Sequence, residues 1–285
     1  LWSEPSPQDP QLAQAILQRG SVVLAQAWDK TGAPLPPVER LAEVAIGSGH
    51  VMKQQDTDGV VRQIKLEING QMALAVAAVQ AYSLVKSPVA LPDVKQPLWV
   101  NWVAPTARVR PYSFVDVVRG KIPAHTFRNK IVVVGVTATG LDPLVTPFNQ
   151  NPPTSSVYLH ATLIHNLLQQ NFFHPIQGIE FWLCLLLVAG PGLSWWLAGW
   201  NTRQQLVVIT GLCCGWGLLS LLLFRANVLL PVAPPMALFV TTATAVALSD
   251  RLRENHLLKR EIARLWKLYR QDLIINPAMS PHGLL

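Results

Sequence analysis

Three apolar runs near the C-terminal end constrain this chain more than anything else in it. They follow one another between Gly178 and Leu248 with short polar breaks. Each has about 20 residues, the length that crosses roughly 30 Å of hydrocarbon. The reading is three transmembrane helices, at about 178–199, 206–224 and 228–248. Trp195, Trp196 and Trp200 cluster at the far end of the first, where amphipathic rings favour the headgroup level. Pro191 in the first span, and Pro231, Pro234 and Pro235 in the third, remove helix donors and predict kinks. Neighbouring helices must cover the freed carbonyls, so the spans are expected to pack as a bundle. Gly211, Gly215 and Gly217 in the second span permit close helix contact. The hydrocarbon portions hold no Asp, Glu, Lys or His, which argues against a transporter or proton pump.

Basic residues orient the bundle. No Lys or Arg lies between Lys130 and the first span, whereas Arg251, Arg253, Lys259, Arg260, Arg264, Lys267 and Arg270 crowd the exit of the third. The positive-inside rule puts the C-terminus in the cytoplasm, and an odd number of spans puts residues 1–177 outside. Much of the net charge of +7 lies in this juxtamembrane tail, where it faces anionic lipid, so nucleic acid is not the partner it implies. The three cysteines, Cys184, Cys213 and Cys214, all fall inside spans, leaving the external region without disulfide or thiol chemistry. The chain begins at Leu1 with neither a basic nor an apolar leader segment, so an export signal upstream of it is expected.

The external region alternates helix and strand signals. A helix is expected over 10–18 with Gly20 as its stop, then a buried strand over 21–27. Two strands, GHVMKQQ and VVRQIKLEI, flank Asp56-Thr57-Asp58-Gly59, which suits a hairpin turn. A buried alanine-rich helix is expected over 71–85, a strand in LWVNWV, and a helix in SFVDVVRG ended by Gly120. KIVVVGV reads as a central strand buried on both faces, and YLHATLIHNLLQQNF as a last amphipathic helix. The fold class is α/β: a three-layer sandwich with a largely parallel sheet and a hairpin insertion, then three transmembrane helices and a juxtamembrane helix.

The most site-like stretch is KIVVVGVTATGLDPLVTPF, Lys130 to Phe148. Gly135-x-Thr137-x-x-Gly140 has the spacing of a dinucleotide fingerprint with the middle glycine replaced. The fingerprint needs a helix at once, and here Pro143 and Pro147 delay any helix until about Ser156, which argues against nucleotide binding. The turn still lies where open α/β sheets bind ligands, so it reads either as a small-molecule crevice or as small residues placed for close packing. Asp142, Thr146 and His160 are its polar candidates. His160 and His165 point about 140° apart on a helix and cannot share a metal. Asp56, Asp58 and Gly59 fail as a calcium loop because Gln54 and Lys65 occupy its end positions. Arg62 can pair with either aspartate. No catalytic constellation, metal set or cofactor motif is recognisable, so no enzyme is expected.

These stretches, in the order DTDGVVRQIKL, LWVNWVAP, SFVDVVRGKIP, KIVVVGVTATGLDPLVTPF and LHATLIHNLL and followed by three spans, resemble the type-2 CHASE domain over about residues 3–177. That resemblance implies an extracellular sensory domain of the kind found ahead of bacterial cyclases, histidine kinases and Ser/Thr kinases. It also implies an N-terminal anchoring span and further strand-helix units upstream of this chain. PPTSSVYLHA stands where the family has Pro-Gly before the last helix.

Beyond the third span, Leu258, Ile262, Leu265 and Tyr269 follow a 4-3-4 spacing over about two heptads. Two readings stay open: a signalling helix that pairs with its twin in a homodimer, or a basic amphipathic helix on the inner leaflet with Trp266 at the interface. The whole is expected to be the input and membrane half of a bacterial inner-membrane receptor, sensing an external small molecule and acting on a cytoplasmic kinase or cyclase in cis or in trans. The alternatives are a stand-alone membrane protein that docks a partner, and a periplasmic enzyme using the Asp142 and His160 region.

Overall fold

The computed structural model describes residues 5–102, 110–138, 140–176, 178–197 and 200–275. Val103 of the LWVNWV strand, the expected end of the first span at Gly199 and the tail 276–285 lie outside them. The chain divides into two compact units, Leu1–Pro175 and Ile176–Leu285.

The first unit is mixed α and β, with small sheets. Helix α1 (Asp9–Arg19) ends where expected, Gly20 taking the left-handed conformation at φ 65° that a side chain disfavours. Strand β1 (Val23–Trp28) pairs antiparallel with β2 (Pro34–Leu35) and, beyond the short helix α2 (Glu39–Ala42), parallel with β3 (Gly47–His50). Next come β4 (Gln63–Ile64) and the β5–β6 hairpin (Glu67–Ile68, Gln71–Met72), helix α3 (Leu74–Val85), and β7 (Leu98–Trp99), which pairs antiparallel with β4. Helix α4 (Phe114–Val118) is stopped by Gly120 at φ 71°. Strands β8 (Pro143–Leu144) and β9 (Thr154–Ser155) pair antiparallel and lead into α5 (Val157–Gln169).

The core forms where α3 and α5 pack together against β4 and β7: Val76 and Val79 from one helix, Leu159, Leu163 and Leu167 from the other, with Val61, Ile64, Leu66 and Leu98. Asn166, fully buried, completes it. Its Oδ1 accepts from the Asn101 N–H at 3.0 Å and its Nδ2 donates to the Asn101 carbonyl at 3.1 Å, so one carboxamide satisfies both backbone polar groups of that residue.

Several expectations are corrected. In the first unit β1 pairs parallel with β3 over four positions, whereas β1–β2, β4–β7, β5–β6 and β8–β9 are antiparallel and two residues long, so among the described residues no single largely parallel sheet forms. The hairpin does not close around Asp56–Gly59. That turn exists, with Gly59 N–H donating to the Asp56 carbonyl at 2.9 Å, but the ladder forms at the next turn, Asn69-Gly70, where φ values of 51° and 77° suit the tight hairpin type. Gln71 and Met72 thereby enter β6, and α3 begins only at Leu74. KIVVVGV joins no strand ladder and is buried on one face: Ile131 and Val133 pack on the core, while Val132, Val134 and Val136 are 51, 76 and 54% exposed.

Among its described residues the second unit holds three helices: α6 (Ile179–Leu197), α7 (Thr202–Arg225) and α8 (Ala233–Ile275). Of the three spans expected, α7 alone has the length and mean hydropathy, 2.3, to cross a membrane among the described residues. Pro191 lies inside α6 as expected. Pro234 and Pro235, expected to kink the third span, instead occupy the first turn of α8, where the missing N–H has no helical partner to lose. The connector is not a separate helix: α8 continues through Leu248 into the basic segment without interruption and reaches about 64 Å at 1.5 Å per residue.

Candidate functional site

Three stretches far apart in sequence converge on Lys53. Strand β3 ends at His50, and three residues later the Lys53 Nζ donates three hydrogen bonds of 2.8 Å, to Asp142 Oδ1, the Pro143 carbonyl and Ser156 Oγ. One ammonium thereby ties the β3 exit to both ends of the 142–156 loop. The loop is braced by further bonds, one internal and two to neighbouring segments. Ser156 N–H donates to the Asp142 carbonyl at 3.1 Å, Val61 N–H to the Val145 carbonyl at 3.0 Å, and Ser155 Oγ to the Val136 carbonyl. The lysine side chain is 25% exposed and the Asp142 carboxylate 51%, so the pair sits at the rim and remains open to water on the acidic side.

Two imidazoles lie behind this rim. His160, one turn into α5, is 5% exposed, and His50 is fully buried, its ring tilted against Trp28 with centroids 6.0 Å apart. Neither nitrogen of His50 has a hydrogen-bond partner, and Nδ1 of His160 has none. Burial holds both rings neutral and lowers each pKa to about 4. At His160 the Asp142 charge pulls upward while His50 and Lys53 push down, and at His50 the Lys65 backbone opposes burial.

Of the residues singled out from sequence, the structure brings Asp142 and His160 into one electrostatic neighbourhood. Thr146, on the same loop as Asp142, is buried, but its hydroxyl serves the loop, accepting from the Asn149 N–H at 2.9 Å and the Phe148 N–H at 3.3 Å. Gly135 has the packing role: a Cβ there would lie 2.7 Å from Val157 Cγ2, inside contact distance. Thr137 is exposed. Sequence reasoning passed over His50, Lys53 and Ser156, and Lys53 meets Asp142 across 89 positions, a distance no local pattern bridges.

Ser156, Asp142 and His160 do not compose a hydrolytic triad. The Ser156 hydroxyl is engaged by Lys53, and the Nδ1 of His160 lacks the carboxylate bond that would orient the ring. A groove of about 260 Å³ opens elsewhere in the unit, between β3, β6 and α3, with a wholly neutral lining that includes Ser48, Gln71 and Gln80. At the Asp56–Gly59 turn, Arg62 bonds both aspartates, Asp56 at 2.7 Å and Asp58 at 2.6 Å, and its guanidinium lowers the Asp58 pKa to about 2. The turn's carboxylates are therefore engaged by a cation of the chain itself.

No curated protein and no solved structure matches the chain. A family model does: the CHASE2 domain, over residues 1–199. CHASE2 is a sensory domain of signalling receptors, and the residues that resemble it carry the core and the Lys53 cluster alike. The chain belongs to the CHASE2 family.

Proposed function

We propose that this chain is the sensory input and transmembrane half of a bacterial signalling receptor: an extracytoplasmic CHASE2 unit, three membrane-spanning helices, and a cytoplasmic connector leading to a kinase or cyclase in cis or in trans. The observation that carries the membrane reading is an inversion of burial. The buried residues of α7 are polar, Gln205 and Ser220, while Leu206, Val207, Leu218, Leu221 and Leu222 are 55 to 69% exposed. In water that pattern costs free energy; in hydrocarbon it is the stable one, because lipid solvates leucine and the helix bundle must solvate the amide. Gln205 Nε2 accordingly donates to the Leu197 and Trp200 carbonyls and to Asp250 Oδ2, each at 3.0 Å.

Sensing in this reading is a shift between two arrangements of the external unit, driven only by a ligand's differential affinity for them. The Asp142 and His160 region is the proposed ligand contact, and Lys53 is the group a ligand would reach. An incoming carboxylate or phosphate can displace the half-exposed Asp142 from that ammonium and so remove one of the three bonds that tie the 142–156 loop to the β3 exit. The unit binds and relays and has no turnover of its own.

The test is sidedness. In a variant lacking Cys184, Cys213 and Cys214, single cysteines at Lys30 and Leu258 are offered a membrane-impermeant maleimide in intact cells and in inverted vesicles. The expected result is labelling of position 30 in cells and of position 258 in inverted vesicles. Labelling of both from one side removes the relay reading.

A further inference from the structure

Helix α8 has two faces with different fates. One is covered inside its own bundle: Pro235, Phe239, Thr242 and Val246 are buried, and the helix packs on both α6 and α7. Gly190 of α6 admits Leu238, with a Cβ position only 3.2 Å from Leu238 Cδ1. At 100° per residue the opposite face of the apolar half carries Ala237, Thr241, Thr244 and Leu248, all exposed. The two threonine hydroxyls are spent on their own helix, Thr241 on the Leu238 carbonyl and Thr244 on the Val240 carbonyl, so each presents its methyl outward.

This outward stripe does not stop at the membrane boundary. Its spacing alternates four and three residues from Ala237 to Leu248, passes through Arg251, and continues with the same alternation through Asn255, Leu258, Ile262, Leu265 and Tyr269. Those last four side chains are 53 to 61% exposed. Lipid can cover the upper part of the stripe; it cannot cover the lower part, because α8 holds no Gly or Pro from Met236 to Arg270 at which the basic half could turn into the membrane plane. A continuous 3-4 stripe drifts slowly around a straight helix, and two copies keep it in contact by a left-handed supercoil.

We infer that α8 pairs in parallel with α8 of a second copy of this chain along one seam running from Ala237 to Tyr269. This deepens the relay reading and rests on it. Small residues let the helices approach in the membrane half, and leucine and isoleucine fill the aqueous half. Asn255 takes an inward position, where one buried amide fixes register and a two-stranded state. Flanking it, Glu254 of each copy faces Lys259 of the other, a complement that a parallel in-register pair satisfies twice. Arg251, at the point where the stripe leaves the apolar half, extends its guanidinium to the headgroup level.

The experiment uses the full chain in its native membrane, in the variant with Cys184, Cys213 and Cys214 replaced by serine. Single cysteines are placed in turn from Glu254 to Trp266 and oxidised. The expected disulfide yield peaks about every 3.5 residues, at 255, 258, 262 and 265, with minima at 256, 260 and 263. A flat profile, no dimer, or peaks at 253, 257 and 260, which continue the bundle-facing side, would overturn the seam. In a second variant, Leu258→Asp with Leu265→Asp must abolish the cross-link from a cysteine at 255; persistence of that cross-link also refutes it. Sidedness labelling separates this outcome from failure of the relay reading, since a seam can exist whichever side position 258 occupies.

Discussion

Acid is expected to loosen the external unit through two specific side chains. His50 and His160 are each held neutral with pKa values near 4 by burial, whereas an imidazole in the unfolded chain titrates near 6.5. Above pH 6.5 neither state binds the proton and the pair has no pH-dependent effect. As pH falls from 6.5 towards 4 the unfolded state takes up protons that the folded state refuses, so folding stability falls throughout that window. At pH 5 each ring costs about 2 kcal/mol and the pair about 4, against a total stability on the order of 5–15 kcal/mol for a domain. The measurement is thermal unfolding of the full chain in detergent, followed by near-UV circular dichroism, in steps from pH 7.5 to 4.5. His50→Leu and His160→Leu are each expected to remove about half of the pH dependence, and the double variant to remove nearly all of it. If the double variant keeps the wild-type pH profile, burial of these imidazoles is not the cause of acid sensitivity and the reasoning fails.

Gly49→Ala should destabilise by about 1–3 kcal/mol, because its Cβ would lie 2.6 Å from Leu74 Cα, a backbone atom that cannot rotate away. Gly135→Ala, which meets only the Val157 side chain, should cost less, and a reversed order of melting temperatures would show that the β3–α3 approach is not tight. Lys53→Met should cost about 1–3 kcal/mol and raise amide exchange across 142–156, whereas Asp142→Asn, at the half-exposed end of the pair, should do less. Gln205→Leu should lower the melting temperature in detergent by removing the donor to Leu197, Trp200 and Asp250, and an unchanged value would mean that those carbonyls are satisfied otherwise.

What the sequence made legible follows the range of the forces involved. Gly20 and Gly120 end helices because caps depend on neighbours a few positions away. The Asn69-Gly70 turn carries an equally local signal, which reading Val60 to Ile68 as one long strand passes over. KIVVVGV misleads because apolar composition reports affinity for a core and says nothing about whether a second layer covers the strand; Val134 remains 76% exposed. At the candidate site, Asp142 and His160 stand out locally as polar residues beside a turn. Their partners do not: His50 ends an ordinary strand, and Lys53 is one lysine among polar neighbours until the fold carries it 89 positions to its carboxylate. The α8 stripe is half visible, its heptads plain in the basic half of the helix and hidden in the first half among residues apolar on every side.

The absence of glycine and proline from Met236 to Arg270 turns α8 into a lever with a fixed fulcrum. Its last side chain buried in the bundle is Val246, and Tyr269 lies about 35 Å farther along the axis at 1.5 Å per residue. A tilt of about 5° at the bundle would sweep the far end through about 3 Å, and a rotation about the axis would arrive undiminished, since an unbroken hydrogen-bonded helix has no joint in which to lose it. Motion too small to disturb the packing around Gly190 is thus multiplied before it reaches the basic end, and a single residue inserted after Leu248 would turn everything beyond it by about 100° around the axis.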